Sequence, residues 1–242
     1  MILPGVCGVP TAQARLFCEL PVVEVQETFS RPVTLKRAEG WRRRAPPNFV
    51  FTVKASQFIT HDISSESYRR SELDLENAPK DRYGSFRDTR EESGAWSATQ
   101  AVATALRAKA IVFETPSSFG PKPENLRNLY GFFENIRPGA WSLVWEPRGT
   151  WPSYVIEKVC ADLGVVHCVD PFGAESVTIG LAYFRLHGSP PGSRTYDYSY
   201  TEQDLARLRD IALEYDDAYV LFDNVTRFDD AVRLQSLVNI GK

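Results

Sequence analysis

Three histidines, four cysteines and no long apolar run are the sparse features of this 242-residue chain, and each absence narrows what it can be. The histidines form no HxH or HExxH pattern, so no metal-binding signature is present and no metal ligand is assigned. His167, beside Cys168 inside an apolar run, reads as a satisfied core histidine rather than a ligand. Cys7, Cys18, Cys160 and Cys168 show no CxxC spacing. They are expected to be reduced, mostly buried thiols of a cytoplasmic protein. No stretch approaches the ~20 apolar residues of a membrane span, and the opening MILPGVCG has no basic segment of the signal-peptide kind. Neither a membrane partner nor a leader is expected. No glycine-rich phosphate loop appears, so neither NAD nor ATP is suggested and the cofactor, if any, is unknown. The net charge is −3 and the isoelectric point about 5.7. Nucleic-acid binding by bulk electrostatics is therefore not favoured, although a local patch could provide it.

What is present is an alternation. Short apolar runs stand at 3–8, 21–26, 48–55, 110–116, 142–147, 165–171, 181–188 and 218–224. Most are near-continuous in Val, Ile, Phe and Leu, as strands buried on both faces of a parallel sheet are. Helical periodicity fills most gaps. Leu126, Leu129, Tyr130 and Phe133 share one face, as do Val155, Ile156, Val159, Cys160 and Leu163 ahead of Gly164; Leu205, Leu208 and Ala212 follow the N-cap residue Thr201. Further helices are expected over 228–238 and, less regularly, over 97–107 and 33–44, with a short turn in 10–17. Eight strands alternating with helices in this length predict a single domain over 1–242, a (β/α)8 TIM barrel, with an open doubly wound sheet as the competitor. Two segments interrupt the rhythm. Residues 57–95, after strand three, read as an insertion that is either a lid or ordinary surface loop. Residues 188–200, after strand seven, form a long loop bearing Tyr196, Tyr198 and Tyr200.

The polar residues cluster at the C-terminal ends of the strands, the face where barrel enzymes keep their chemistry. They are Glu24 and Gln26, Lys54 with Thr60 and His61 beyond it, Glu114, Glu146 and Arg148, Asp170, Arg185 and His187, and Asp223 and Asn224. Strand residues alternate in direction, so about half could face the helices, and a buried pair such as Arg185–Glu146 could be purely structural. Read functionally, Lys54, Arg148 and Arg185 suit a small anionic ligand carrying phosphate or carboxylate. Glu146, His187 and Glu24 are the acid/base candidates. His61, Asp223, Asn224, Tyr196 and Tyr198 are further binding candidates. A divalent ion held by His187, Glu146, Glu24 and Asp170 is a weaker option. The basic cluster Lys36, Arg37, Arg42, Arg43 and Arg44 sits near a helix end and reads as complementing the helix dipole rather than as a DNA-binding stripe.

The strand-end residues also carry a resemblance. VVEVQETF (22–29), FVFTVKASQFITH (49–61), IVFETPSSF (111–119), WEPRGTW (145–151), FRLHG (184–188) and FDN (222–224) together resemble the YecE-like family, the group known as domain of unknown function seventy-two. GSFRDTREESGAW (84–96) is similar to the longer archaeal-type members. The resemblance implies a TIM barrel and no established activity. It implies a polar set at Glu24, Lys54, His61, Glu146, Arg148, Arg185, His187 and Asn224. The chain departs from the family pattern at Cys7-Gly8-Val9-Pro10, Gln26, Glu114 and Asp223. The extra carboxylates favour a cationic or metal-linked ligand over a phosphate. Three readings follow: a hydrolase or lyase, a non-catalytic barrel binding a ligand or a nucleic-acid end, and an ion-pair network with no site.

Overall fold

The computed structural model describes residues 1–136, 139–188 and 196–240. Eight strands close into a barrel in chain order: β1 (Ile2–Cys7), β2 (Val22–Val25), β3 (Val50–Lys54), β4 (Ala110–Thr115), β5 (Ser142–Pro147), β6 (Val166–Val169), β7 (Leu181–Leu186) and β8 (Asp217–Phe222). Neighbours such as β4 and β5 or β7 and β8 run parallel, so the strands finish at one rim. The apolar runs are what the barrel buries. Ile111, Val112 and Phe113 of β4, and Ala182, Tyr183 and Phe184 of β7, are inaccessible or nearly so. Gly5 lets β1 close on β2: a Cβ there would lie 2.4 Å from the carbonyl oxygen of its register partner Val22.

Nine α-helices occur among the described residues: α1 (Gln13–Glu19), α2 (Glu27–Ser30), α3 (Leu35–Arg44), α4 (Gln57–Thr60), α5 (Arg90–Leu106), α6 (Pro123–Asn135), α7 (Ser153–Leu163), α8 (Glu202–Ala212) and α9 (Arg227–Ile240). Two of the sequence's end signals operate as read. Thr201 and Asp204 form a reciprocal capping box at the start of α8. Gly164 closes α7 with φ at +64°. Strand six is shorter than its apolar run, because the Asp170 carboxylate accepts a hydrogen bond from the Phe172 backbone N–H and turns the chain. The helix expected over 97–107 begins earlier, at Arg90, where the Thr89 hydroxyl accepts from the Glu92 N–H. The short helices α2 and α4, directly after β2 and β3, have no periodicity that a four-residue segment could reveal.

Packing divides the chain into two compact sets. One comprises Met1–Val25, Arg44–Phe51 and Val166–Lys242; the other comprises Gln26–Arg43 and Thr52–Val165. In the second set, the segment after β3 is neither featureless loop nor extended flap. Ile63, Tyr68 and Tyr83 make a small core with Phe58, Leu73 and Leu75, and Phe58 stacks on Tyr68 at 5.5 Å. Gly84, at φ +74°, lies so close to the His61 carbonyl that a Cβ would come within 2.0 Å of its oxygen. Arg87 closes the segment through Asp62 (2.6 Å) and the Tyr83 carbonyl (2.5 Å).

Candidate functional site at the strand ends

In the first set, charge climbs one face of β7. Tyr183, Arg185 and His187 are spaced by two, so their side chains project to the same side. Cys7 and Glu24 are register partners on β1 and β2 and share a face too. The result is a closed knot. Glu24, inaccessible to solvent, accepts from the Tyr183 hydroxyl at 2.9 Å, lies 3.3 Å from the Arg185 guanidinium and receives the Cys7 thiol at 3.6 Å. Arg185 also meets Asp223 at 3.4 Å, and His187 Nε2 lies 4.0 Å from the same carboxylate. Burial, followed by the Glu24 carboxylate, pushes the Cys7 thiol well above its ordinary pKa, so it is a neutral donor here.

The second set carries a more open chain of charges. Lys54 Nζ sits 3.0 Å from Glu114 and 4.0 Å from the Phe29 ring centroid, a cation–π contact. Arg148 bridges Glu114 (3.7 Å) and Glu146 (2.9 Å). Glu114 and Glu146 are register partners on β4 and β5, which aligns their carboxylates. Exposure is graded along this chain. The Arg148 side chain is 32% accessible, Glu114 15% and Glu146 6%. His61 is held by its neighbours: Thr60 Oγ1 is 2.8 Å from Nδ1, the Phe29 ring meets it edge-on, and the Tyr68 hydroxyl donates to its carbonyl at 2.9 Å. Burial lowers the His61 pKa to about 4; Glu114 opposes the shift, and the positive charge of Lys54 reinforces it. The ring is neutral at pH 7. A cavity of about 320 Å³ opens beside this region, between Thr28, Arg31, Val33, Ser56, Phe58 and the flank of α5.

The remaining expected site residues have other company. The Asn224 amide donates to the Tyr198 carbonyl, Thr226 Oγ1 and Asp230. Tyr198 donates its hydroxyl to Asp204 at 2.8 Å. Tyr200 is buried, its hydroxyl donating to the Gly188 carbonyl. Tyr196 is about half exposed, and its backbone N–H donates to the His187 carbonyl. The remainder of the loop expected over 188–200, residues 189–195, lies outside the described residues. His167 accepts the Val177 N–H through Nδ1 at 3.2 Å, the satisfied core role expected of it. Members of the basic cluster have local partners: Arg37 pairs with Glu27 and Arg44 hydrogen-bonds Gln13.

Sequence reasoning placed Glu114 at a strand end but omitted it from the binding set, although it is where Lys54 and Arg148 meet. The available signal was its departure from the pattern of the family that the chain resembles. Gln57, fully buried, was also passed over; its side-chain amide makes no hydrogen bond. All four cysteines are free, three of them buried and Cys18 exposed. No helix among the described residues is long and apolar enough to cross a membrane.

The chain can now be placed among known proteins. No curated protein matches it. A DUF72 family protein from Enterococcus faecalis is similar with a TM-score of 0.76 at 19% identity, covering 99% of this chain and 98% of that one. A DUF72 family protein from Thermotoga maritima scores 0.70 at 19% identity, with 99% of each chain covered. Endonuclease IV from Thermus thermophilus shares the fold at a TM-score of 0.55 and 14% identity, covering 98% of each chain. The family model described as "Protein of unknown function DUF72" matches residues 14–241, so the chain belongs to the DUF72 family.

Proposed function

We propose that this chain is a barrel enzyme, a hydrolase or lyase whose substrate carries a phosphate or carboxylate group, with its chemistry at the C-terminal strand ends. The observation that carries the reading is the graded exposure of the Lys54–Glu114–Arg148–Glu146 chain: the guanidinium faces solvent and the carboxylates lie behind it. An arriving anion meets Arg148 first, which suits bidentate recognition. Glu146, 2.9 Å from Arg148 Nε, is the acid/base group, and Lys54 fixes Glu114. His61, neutral at pH 7, serves as a hydrogen-bonding group. His187 beside Asp223 is a second proton-transfer group. Glu24, saturated by Tyr183, Arg185 and Cys7, positions Arg185 and does not react. The barrel of endonuclease IV, an endonuclease by name, supports the inclusion of phosphodiesters among the substrates as a fold analogy.

A panel of phosphomonoesters, phosphodiesters and carboxylated sugars tests this. Glu146→Gln is expected to lower kcat by roughly 10²–10⁴ with little change in KM, and Arg148→Met to raise KM. Identical behaviour of wild type and both variants on every substrate overturns the assignment. The aligned carboxylates of Glu114 and Glu146 favour a second, metal-assisted reading, which predicts that added Mn²⁺ or Mg²⁺ raises the rate and that a chelator abolishes it. The non-catalytic alternative keeps only Tyr196 as an exposed stacking residue of the described loop. It predicts salt-dependent binding of single-stranded DNA or RNA without turnover.

A further inference from the structure

Between them, α5 and α6 enclose a groove of about 500 Å³. Its walls include Trp96 of α5 and Phe132 of α6, whose rings pack at 5.8 Å. Two features have no explanation within the protein. The first is Glu92, which lines the groove and is only 3% accessible, with Oε2 lacking any hydrogen-bond partner. A lone buried carboxyl oxygen is costly unless something donates to it. The Thr89–Glu92 spacing would allow a reciprocal cap, yet only the Thr89 hydroxyl takes part, so the carboxyl is left for another use. The second is Gly131, in the middle of α6. Glycine weakens a helix interior, and no packing demands it here: a Cβ at Gly131 would meet no atom within 4 Å. It also lines the groove, so the missing side chain leaves open space in the same groove as the buried carboxyl.

We propose that this groove binds an organic cation with N–H donors, a guanidinium or primary ammonium on an aromatic or aliphatic body. Its charged end would donate to Glu92 Oε2, and its body would lie against Trp96 and Phe132 over Gly131. Aromatic faces attract such cations, and guanidinium stacks on them. Asp88, exposed at the groove's edge, adds a second negative charge. Burial, then repulsion from Asp88, raises the Glu92 pKa to about 9, with the positive charge of Arg87 opposing. Arg127 of α6 also lines the groove. Empty, the groove therefore holds a neutral carboxyl at pH 7, and a bound cation displaces its proton. Affinity for a permanently charged ligand should rise by up to tenfold per pH unit between pH 6 and about 9.

Isothermal titration of the full chain with benzylguanidinium and its neutral isostere benzylurea tests this independently of the strand-end site. Wild type at pH 8 should prefer benzylguanidinium by at least tenfold, and Glu92→Gln should bring the two within twofold. Asp88→Asn, at an exposed position, should weaken only the cation, by a few fold. Gly131→Leu, which fills the groove with a good helix former, should weaken both ligands at least tenfold without lowering the melting temperature. No saturable binding by wild type, no preference for the cation, or an unchanged preference in Glu92→Gln overturns the proposal.

Discussion

The two charged clusters are made of the same materials and do different work. Around Arg185, one guanidinium is matched to Glu24 and Asp223 and further fixed through Tyr183 and Cys7, with the arginine 1% accessible. Around Arg148, one guanidinium is likewise matched to two carboxylates, Glu114 and Glu146, yet a third of its surface meets water. Desolvation separates them. A buried cation cannot lose a partner without leaving an uncompensated charge, whereas a partly exposed one is rescued by solvent. The first cluster is suited to holding geometry and the second to exchanging partners with a ligand.

The largest expected effect breaks the buried cluster. Arg185→Met should cost about 3–5 kcal/mol of unfolding free energy in urea titrations, because it takes the buried guanidinium away from the Glu24 and Asp223 carboxylates. A cost below ~1 kcal/mol would place the two clusters in one class. Next comes the acid response of the open cluster. His61 has its folded pKa depressed to about 4. Its stabilising contribution is present above the unfolded value near 6.5 and is lost as pH falls through about 4. Wild type should lose on the order of 2 kcal/mol over that range relative to His61→Gln, measured as the pH dependence of the difference between them. Glu92 should show the opposite slope. Its raised pKa costs stability as pH climbs from about 4.5 towards 9, so Glu92→Gln should gain on wild type by roughly 2 kcal/mol between pH 6 and 7.5. The smallest effect sharpens the contrast. Arg148→Met should change stability by no more than about 1 kcal/mol, its consequences appearing in substrate binding instead.

How legible all this was in the sequence depends on the physics behind each feature. The barrel was readable because strands buried on both faces need unbroken apolar runs, and β4 and β7 supply them. The strand-end residues were readable as a set because parallel strands bring their C-terminal ends to one rim. Which of them would be sealed was not readable. Glu24 and Glu146 each close an apolar strand, and only packing makes one inaccessible while leaving the other beneath an arginine that is one-third exposed. The company of Asn224 and Tyr198 was hidden for a similar reason: Asp230, six residues on in a helix, accepts from the Asn224 amide, and Asp204 accepts from the Tyr198 hydroxyl. The segment after β3 looked like loop because it is rich in Ser, Glu, Asp and Arg. A few aromatic residues, Phe58, Tyr68 and Tyr83, are enough to fold it around His61.

The Cys7 thiol also makes the chain its own reporter. Of the four cysteines only Cys18 is exposed, so an alkylating reagent should label native protein once and quickly. Cys7 is shut in beside Glu24 with its ionisation suppressed, and its alkylation requires that cluster to open. The ratio of the two labelling rates, read by mass spectrometry, is a clock for the breathing of the barrel's inner face, built in without any substitution.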